Sequence, residues 1–367
     1  MEPGHFKALY DNPGPFASVY LATDRADPEA AHAIALRWRE LRGRLEADGA
    51  DEPTLVAIDA AVGSDRGRPS PHGQAIFAAG GSVLLQEELR VPNVLDRATF
   101  GHLPDVLPLL AQTPDFSSYL LVFADRSGAE VEVYDGAGVE ERERVDAGAR
   151  WPLRKVHNGD WHEAHFQREV ENTWAANAKQ EADRVRQIAQ SHRAELIAVS
   201  GDARAKTMLL EHLGPDWSAR AVPLPSGGRA EGSDRAQARR AAMVAAARAE
   251  ESLRADVRDR YAGRLATGGA VEGLIPTAEA LRRGDVDTLL IRHGSKELDS
   301  WMWWGPQPGQ LAAHPEELTD MRSAQIRRDK AGNVLVRAAV QSGSRILVLA
   351  GGEPGPEHGV GAVLRHT

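Results

Sequence analysis

The chain has 367 residues, 42% hydrophobic and 26% charged, which is enough apolar material for two or three cores and not the composition of a disordered polymer. It has no cysteine, which excludes disulfides, thiol catalysis and cysteine-ligated zinc, and its net charge of −9 argues against a protein that coats nucleic acid non-specifically. The first residues lack a basic start and an apolar run, and no uninterrupted apolar run of about 18 residues occurs, so a cytoplasmic protein without a membrane span is expected.

Residues 1–113 carry a net charge of −6. Here "GPFASVYLAT" reads as a strand, and "PEAAHAIALRWRELRGRLEA" as a helix with Ile34, Trp38, Leu41 and Leu45 on one stripe. "QAIFAAGGSVLLQEEL" reads as two strands around a Gly-Gly turn, and the Pro-punctuated stretch from Pro92 to Pro114 marks a boundary. Residues 114–228 carry −5 and open with "YLLVFADRSGAEVEVYDG", two strands in which Val131 and Val133 alternate with Glu130 and Glu132. After the loop "RWPLRKVHNGDWHEAHFQ" comes a long amphipathic helix, with Asp160 as N-cap and Phe166, Val170, Trp174, Ala178, Ala182, Val185 and Ala189 on its stripe. The strand "ELIAVSGD", the helix "ARAKTMLLEHLG" and the strand "SARAVPLP" complete an alternating β–α order, hence α/β layers.

Residues 229–367 carry +2 and follow the linker "PSGGRAEGSD". A long helix from Asp234 places Leu253, Val257, Tyr261 and Leu265 at i, i+4, and "AVEGLIPTAEALRRG" reads as a second helix closed by Gly284. "DVDTLLI", "SRILVLAGG" and "GVGAVLRH" read as buried strands, with a polar, Trp-rich insert over 292–330.

Few motifs carry chemistry. His162 and His165 in "HEAH" stand at i, i+3 where a metalloprotease needs H-E-x-x-H, so the two side chains point apart and no metal is expected. There is no G-x-S-x-G nucleophile elbow, and Ser200 falls at a plain strand-to-helix turn. No phosphate loop or dinucleotide fingerprint occurs, and no cofactor is expected. The 150–162 loop concentrates Trp151, Arg154, Lys155, His157, Asn158, Gly159, Trp161 and His162. Indoles and guanidinium planes stack on unpaired bases, and Asn and His reach base edges and phosphates, so the loop suits RNA; the alternative is a structural loop whose indoles fold back. Arg66, Arg68 and His72 form a weaker candidate for phosphate contact, against a merely solvated loop. Trp301, Trp303 and Trp304 form either the small core of the insert or a partner-binding surface.

"LIPTAEALRRGDVDTLLI" (274–291) and the terminal "GVGAVLRH" (359–366) resemble the third domain of the archaeal and eukaryotic class-one release factors and Pelota. "GPFASVYL" (14–21), with the three-segment layout, is similar to the bacterial branch of this family, which includes the actinobacterial proteins grouped with the ribosome hibernation factor Balon. The resemblance implies a three-domain α/β release-factor or Pelota-like architecture, with domains over 1–113, 114–228 and 229–367. In the family, a loop just before the long helix of the second domain carries Gly-Gly-Gln into the peptidyl-transferase centre. The matching stretch here, "KVHNGDWHEAHF", keeps only Gly159, and no Gly-Gly-Gln triplet and no Asn-Ile-Lys-Ser codon-reading motif occurs anywhere in the chain.

The resemblance thus implies a non-enzymatic hibernation factor for dormancy or stress that fills the vacant A site of the 70S ribosome. Its first domain would lie at the decoding site, its loop would lie on large-subunit rRNA, and its third domain would face elongation factor Tu, with no role for DNA or membrane. The alternative is a peptidyl-tRNA hydrolase or rescue factor with His157 or His162 in place of the glutamine.

Overall fold

The computed structural model describes residues 4–23, 30–64, 72–89, 95–112, 118–125, 128–135, 138–146, 160–225, 235–319 and 325–366. They group into two compact units, Met1–Asp115 with Arg254–Thr367, and Phe116–Leu253. The first and last of the three sequence segments therefore share one unit, and the second boundary falls inside a helix.

The N-terminal part of the first unit runs α1 (Gly4–Tyr10), β1 (Phe16–Ala22), α2 (Ala30–Ala47), α3 (Glu52–Ala61), β2 (Gly73–Ala79), β3 (Ser82–Leu89), β4 (Arg97–Gly101) and the single turn α4 (Leu107–Leu110). Its antiparallel sheet has the order β3-β2-β1-β4. Successive side chains of a strand point to opposite faces. Ala17, Val19 and Leu21 accordingly pack with Leu55 and Ile58 of α3 and with Ile34, Trp38, Leu41 and Leu45 of α2, the stripe its spacing predicts. Phe16 and Tyr20, on the opposite face, enter a second core. The β2–β3 turn is Gly80-Gly81, with φ of +56° and +78°, the left-handed values that a tight two-residue hairpin requires.

The middle unit runs β5 (Ser118–Asp125), β6 (Gly128–Asp135), β7 (Gly138–Asp146), α5 (Asp160–Ser191), β8 (Leu196–Gly201), α6 (Ala203–His212), α7 (Pro215–Ser218), β9 (Ala221–Pro223) and the first part of α8 (Arg235–Leu265). The sheet order is β7-β6-β5-β8-β9, antiparallel across β7, β6 and β5 and parallel across β5, β8 and β9. One face buries Leu120, Val122, Val131 and Val133 beneath Ala182, Val185 and Ile188 of α5 and Leu209 of α6. The other buries Leu121, Phe123 and Ala198 beneath Ala238 and Ala242 of α8. Helices on both faces are what a sheet with parallel strands needs.

At the end of β8 the chain turns sharply into α6. The Asp202 carboxylate accepts from the backbone N–H groups of Arg204 (3.1 Å) and Ala205 (3.2 Å), capping the helix. Ser200 is fully buried in this turn, as a plain strand-to-helix connection predicts.

The C-terminal part adds β10 (Ala270–Glu272), α9 (Leu274–Arg283), β11 (Val286–Arg292), a 3₁₀ turn (Lys296–Asp299), β12 (Trp301–Trp304), β13 (Leu311–Ala312), α10 (Glu316–Thr319), β14 (Arg327–Lys330), α11 (Ala331–Ser342), β15 (Arg345–Leu349) and β16 (Val360–Leu364). One sheet has the order β10-β16-β11-β15, and the insert builds its own, β13-β12-β14. The stretch read as one helix from Ala270 is divided: β10 ends at Glu272, Gly273 turns with φ +91°, and α9 follows, closed by left-handed Gly284. Of the predicted α8 stripe, Val257 and Tyr261 are buried, while Leu253 and Leu265 keep about a third of their surface exposed. Helix α11 is buried continuously from Ala331 to Val340 and joins a core shared with Phe6, Leu9 and Tyr10 of α1 and Leu109 and Leu110 of α4. None of the described helices is long and apolar enough to cross a membrane.

Gly201 has φ +133°, and a Cβ there would stand 1.9 Å from the carbonyl oxygen of Ala124 on the adjacent strand. Backbone strain and a backbone clash both act at this one position. Gly201→Ala should therefore cost about 3 kcal/mol or more, measurable as a lowered urea midpoint; an unchanged midpoint would show that the turn is not the constraint described.

Candidate functional site

The sequence-predicted sites fare unequally. Trp151, Arg154, Lys155, His157, Asn158 and Gly159 lie outside the described residues, as do Arg66 and Arg68. Trp161 and His162 fall in the first turn of α5, which begins within one residue of its predicted cap, and their side chains also lie outside the described ones. His72 corrects the expectation of a surface contact. It stands at the start of β2 with 2% of its surface exposed, and its backbone carbonyl accepts from the Thr23 N–H, so the side chain is not displayed to a phosphate. The three Trp of the insert separate by strand alternation. Among the described residues, no group of three His, Asp or Glu could hold a metal ion.

In the middle unit the alternation of valine and glutamate along β6 sets the two kinds of side chain on opposite faces. Helix α8 covers the glutamate face, and Glu132 is fully buried. The guanidinium of Arg239 donates to both its oxygens, at 2.5 and 2.9 Å, and the Tyr134 hydroxyl donates at 2.8 Å. Arg235 makes the same two-pronged contact with Glu130 at 2.7 and 2.9 Å and lies over the Phe123 ring at 4.8 Å. The fit is metric: four residues of helix rise about 6 Å and two residues of strand about 6.6 Å, so Arg235/Arg239 match Glu130/Glu132 rung for rung. This spacing was available in the sequence and is the signal that could have found the pairing. Burial pushes the Glu132 carboxyl up, but the hydrogen bonds from Arg239 and Tyr134, with the charges of Arg239 and Arg142, outweigh it and hold it below the usual range. Tyr119 stacks on Tyr134 with ring centroids 4.8 Å apart, and burial raises its hydroxyl to about 12.

In the insert, β12 pairs antiparallel with β14: Trp301 opposite Lys330, Met302 opposite Asp329, Trp303 opposite Arg328 and Trp304 opposite Arg327. Met302 and Trp304 enter the core. Trp304, only 7% exposed, has the Arg337 guanidinium 4.7 Å from its ring centre and that of Arg327 at 6.0 Å. Arg337 is itself buried in α11, donates to the Pro306 carbonyl at 2.7 Å, and is lowered to about 10 by burial. The indole face thus holds a buried cation, which makes Trp304 part of the core, one of the two alternatives its sequence leaves open, and removes it from any partner-binding surface.

The outer face is different. Trp301 is 59% exposed, with the Arg328 guanidinium carbon 4.9 Å from its ring centre, and Trp303 beside it is half-buried. Asp329 turns inward, accepting from the backbone of Leu103 (3.3 Å) and Lys330 (2.7 Å) and from the Asn333 amide (3.0 Å). The carboxylate of β14 is thereby spent inside the fold, while Arg328 remains exposed outside. Only the strand register reveals that Arg328 shares a face with the indoles.

Residues 118–267 match bacterial archaeo-eukaryotic release factor family 2. Across 357 residues, 96% of this chain and 94% of the relative, the sequence is 27% identical to the uncharacterized protein Rv2629 of Mycobacterium tuberculosis. Among solved structures, archaeal Pelota, from a model of ribosome-bound Pelota and ABCE1, is 13% identical with 99% and 94% of the two chains covered and a TM-score of 0.42. Dom34 of S. cerevisiae, a translation termination-like factor involved in RNA quality control pathways and interacting with Hbs1, is 10% identical with 80% of each chain covered and a TM-score of 0.41.

The ladder on β6 generates a stability test. Removing Arg239 strands a buried carboxylate, whereas neutralising Glu132 leaves a guanidinium that water can reach. Arg239→Ala should cost about 3 kcal/mol and Glu132→Gln distinctly less. Because the Glu132 carboxyl is held below its unfolded value, its contribution is present above the ordinary carboxylate range and lost as pH falls through its folded value. The gap between wild type and Glu132→Gln in chemical unfolding should therefore close on acidification; a gap that widened would contradict the assigned shift.

Proposed function

We propose that this chain, of the bacterial archaeo-eukaryotic release factor-like family, is a ribosome-binding factor that occupies the vacant A site of idle ribosomes and releases no peptide. The single observation that carries the proposal is that the family match spans 118–267, while no Gly-Gly-Gln triplet occurs in the 367 residues. Gly-Gly-Gln acts by placing a water on the peptidyl ester. A chain that keeps the surrounding domain and lacks that triplet keeps the reach without the means of hydrolysis.

The loop between β7 and α5 supplies the contact surface. Trp151, Arg154, Lys155, His157, Asn158 and Trp161 engage large-subunit rRNA by stacking and phosphate bonds. The remainder of the chain spans to the decoding site and presents its C-terminal part to a translational GTPase, elongation factor Tu. The net charge of −9 confines the basic contacts to loops, which keeps the phosphate count small and the binding reversible. A factor of this kind serves dormancy or stress, when ribosomes stand idle and must later be freed.

Sedimentation of the full chain with vacant ribosomes tests the proposal. The protein should co-migrate with them, compete with A-site tRNA, and lose about tenfold in affinity on Trp151→Ala. Stalled ribosome–nascent-chain complexes should retain their peptide when the protein is added. Absence of co-migration would overturn the ribosomal role, and freed peptide would transfer the assignment to a hydrolase using His157 or His162.

A further inference from the structure

The outer face of the insert is built from Trp301 and Trp303 on β12 and Arg328 on β14, and neither the family match nor the proposed function assigns it a role. Trp301 is more than half exposed although an arginine lies over its ring, so indole surface remains open to a flat group. Arg328 is exposed and offers N–H donors beside that ring.

We propose that this face is a stacking platform for an unpaired RNA base, with Trp301 beneath the base and Arg328 on the adjoining phosphate. Three observations favour nucleic acid over a protein surface. The face joins exposed indole to an exposed cation, the pairing that single-stranded RNA sites use. Its one strand carboxylate, Asp329, is hydrogen-bonded inward to Leu103, Lys330 and Asn333 and so does not repel a phosphate. A protein hot spot needs a dry apolar centre, yet among the described residues no largely exposed aliphatic side chain of the insert accompanies Trp301. Asp299 is the nearby acid, and it is engaged by the Lys330 ammonium at 2.7 Å. The proposal is independent of ribosome binding and concerns a part of the chain distinct from the 150–162 loop.

Fluorescence-anisotropy titration of the full chain with labelled ten-nucleotide oligoadenylate and oligouridylate provides the test. Trp301→Ala should weaken binding of both oligomers about tenfold, Trp301→Phe should retain most of it, and a fully paired RNA duplex should gain nothing from the indole. Arg328→Ala should weaken binding and reduce the slope of log affinity against log salt by about one. Trp301 is exposed, so unfolding midpoints should be unchanged and the losses attributable to the surface. No oligomer binding by the wild type, or equal binding by wild type and Trp301→Ala, would overturn the platform. Either result would leave the ribosome sedimentation test unaffected, and failure of that test would leave this one standing.

Discussion

Glu132 carries its charge into a place from which water is excluded, and the guanidinium of Arg239 makes that tolerable. A buried ion pair of this kind adds little net stability compared with an apolar pair, but it is intolerant of mispairing. Sliding α8 by one turn would pair Arg239 with the wrong rung and leave Glu132 without its two-pronged partner. The contact therefore sets the register of α8 on β6, and through it the covering of one face of the sheet. With α5 and α6 on the opposite face, the central strands β5 and β8 are covered on both sides.

The insert applies the same logic with a ring in place of a carboxylate. Arg337 is buried in α11, and the charge is shared between a carbonyl of the insert and the face of Trp304. The strand that turns Trp304 inward necessarily turns Trp301 outward, because neighbours of odd spacing alternate faces. An internal requirement for a cation partner thus leaves an indole on the surface as its geometric complement, and that is where the unassigned chemistry lies.

How much of this was legible in the sequence depends on whether an element has one wet face. Helix α2 has one, and its stripe Ile34, Trp38, Leu41, Leu45 is the buried set. Helix α11 is buried on all sides over Ala331–Val340, and it is not among the elements expected from the sequence. Alternation puts the β6 glutamates on one face without telling what covers it. The stretch from Ala270 concealed a strand because Gly273, which breaks it from α9, is tolerated inside a helical pattern. His72 sat among loop-forming residues and is nonetheless interior, a consequence of tertiary packing that local composition does not encode. At the level of function, the missing triplet could be read directly, since an absent motif needs no coordinates.

The first unit is assembled from both ends of the chain. Phe6, Leu9, Tyr10, Leu109 and Leu110 share one core with Leu335, Val336 and Val340. During synthesis, those early side chains emerge long before their counterparts exist, and the intervening segment can close its own sheet first. The N-terminal residues must then wait, with greasy surface uncovered, for the last third of the message to be translated. A core joined from both ends of a chain has a high contact order, and folding of this unit is accordingly expected to finish only after α11 has been made.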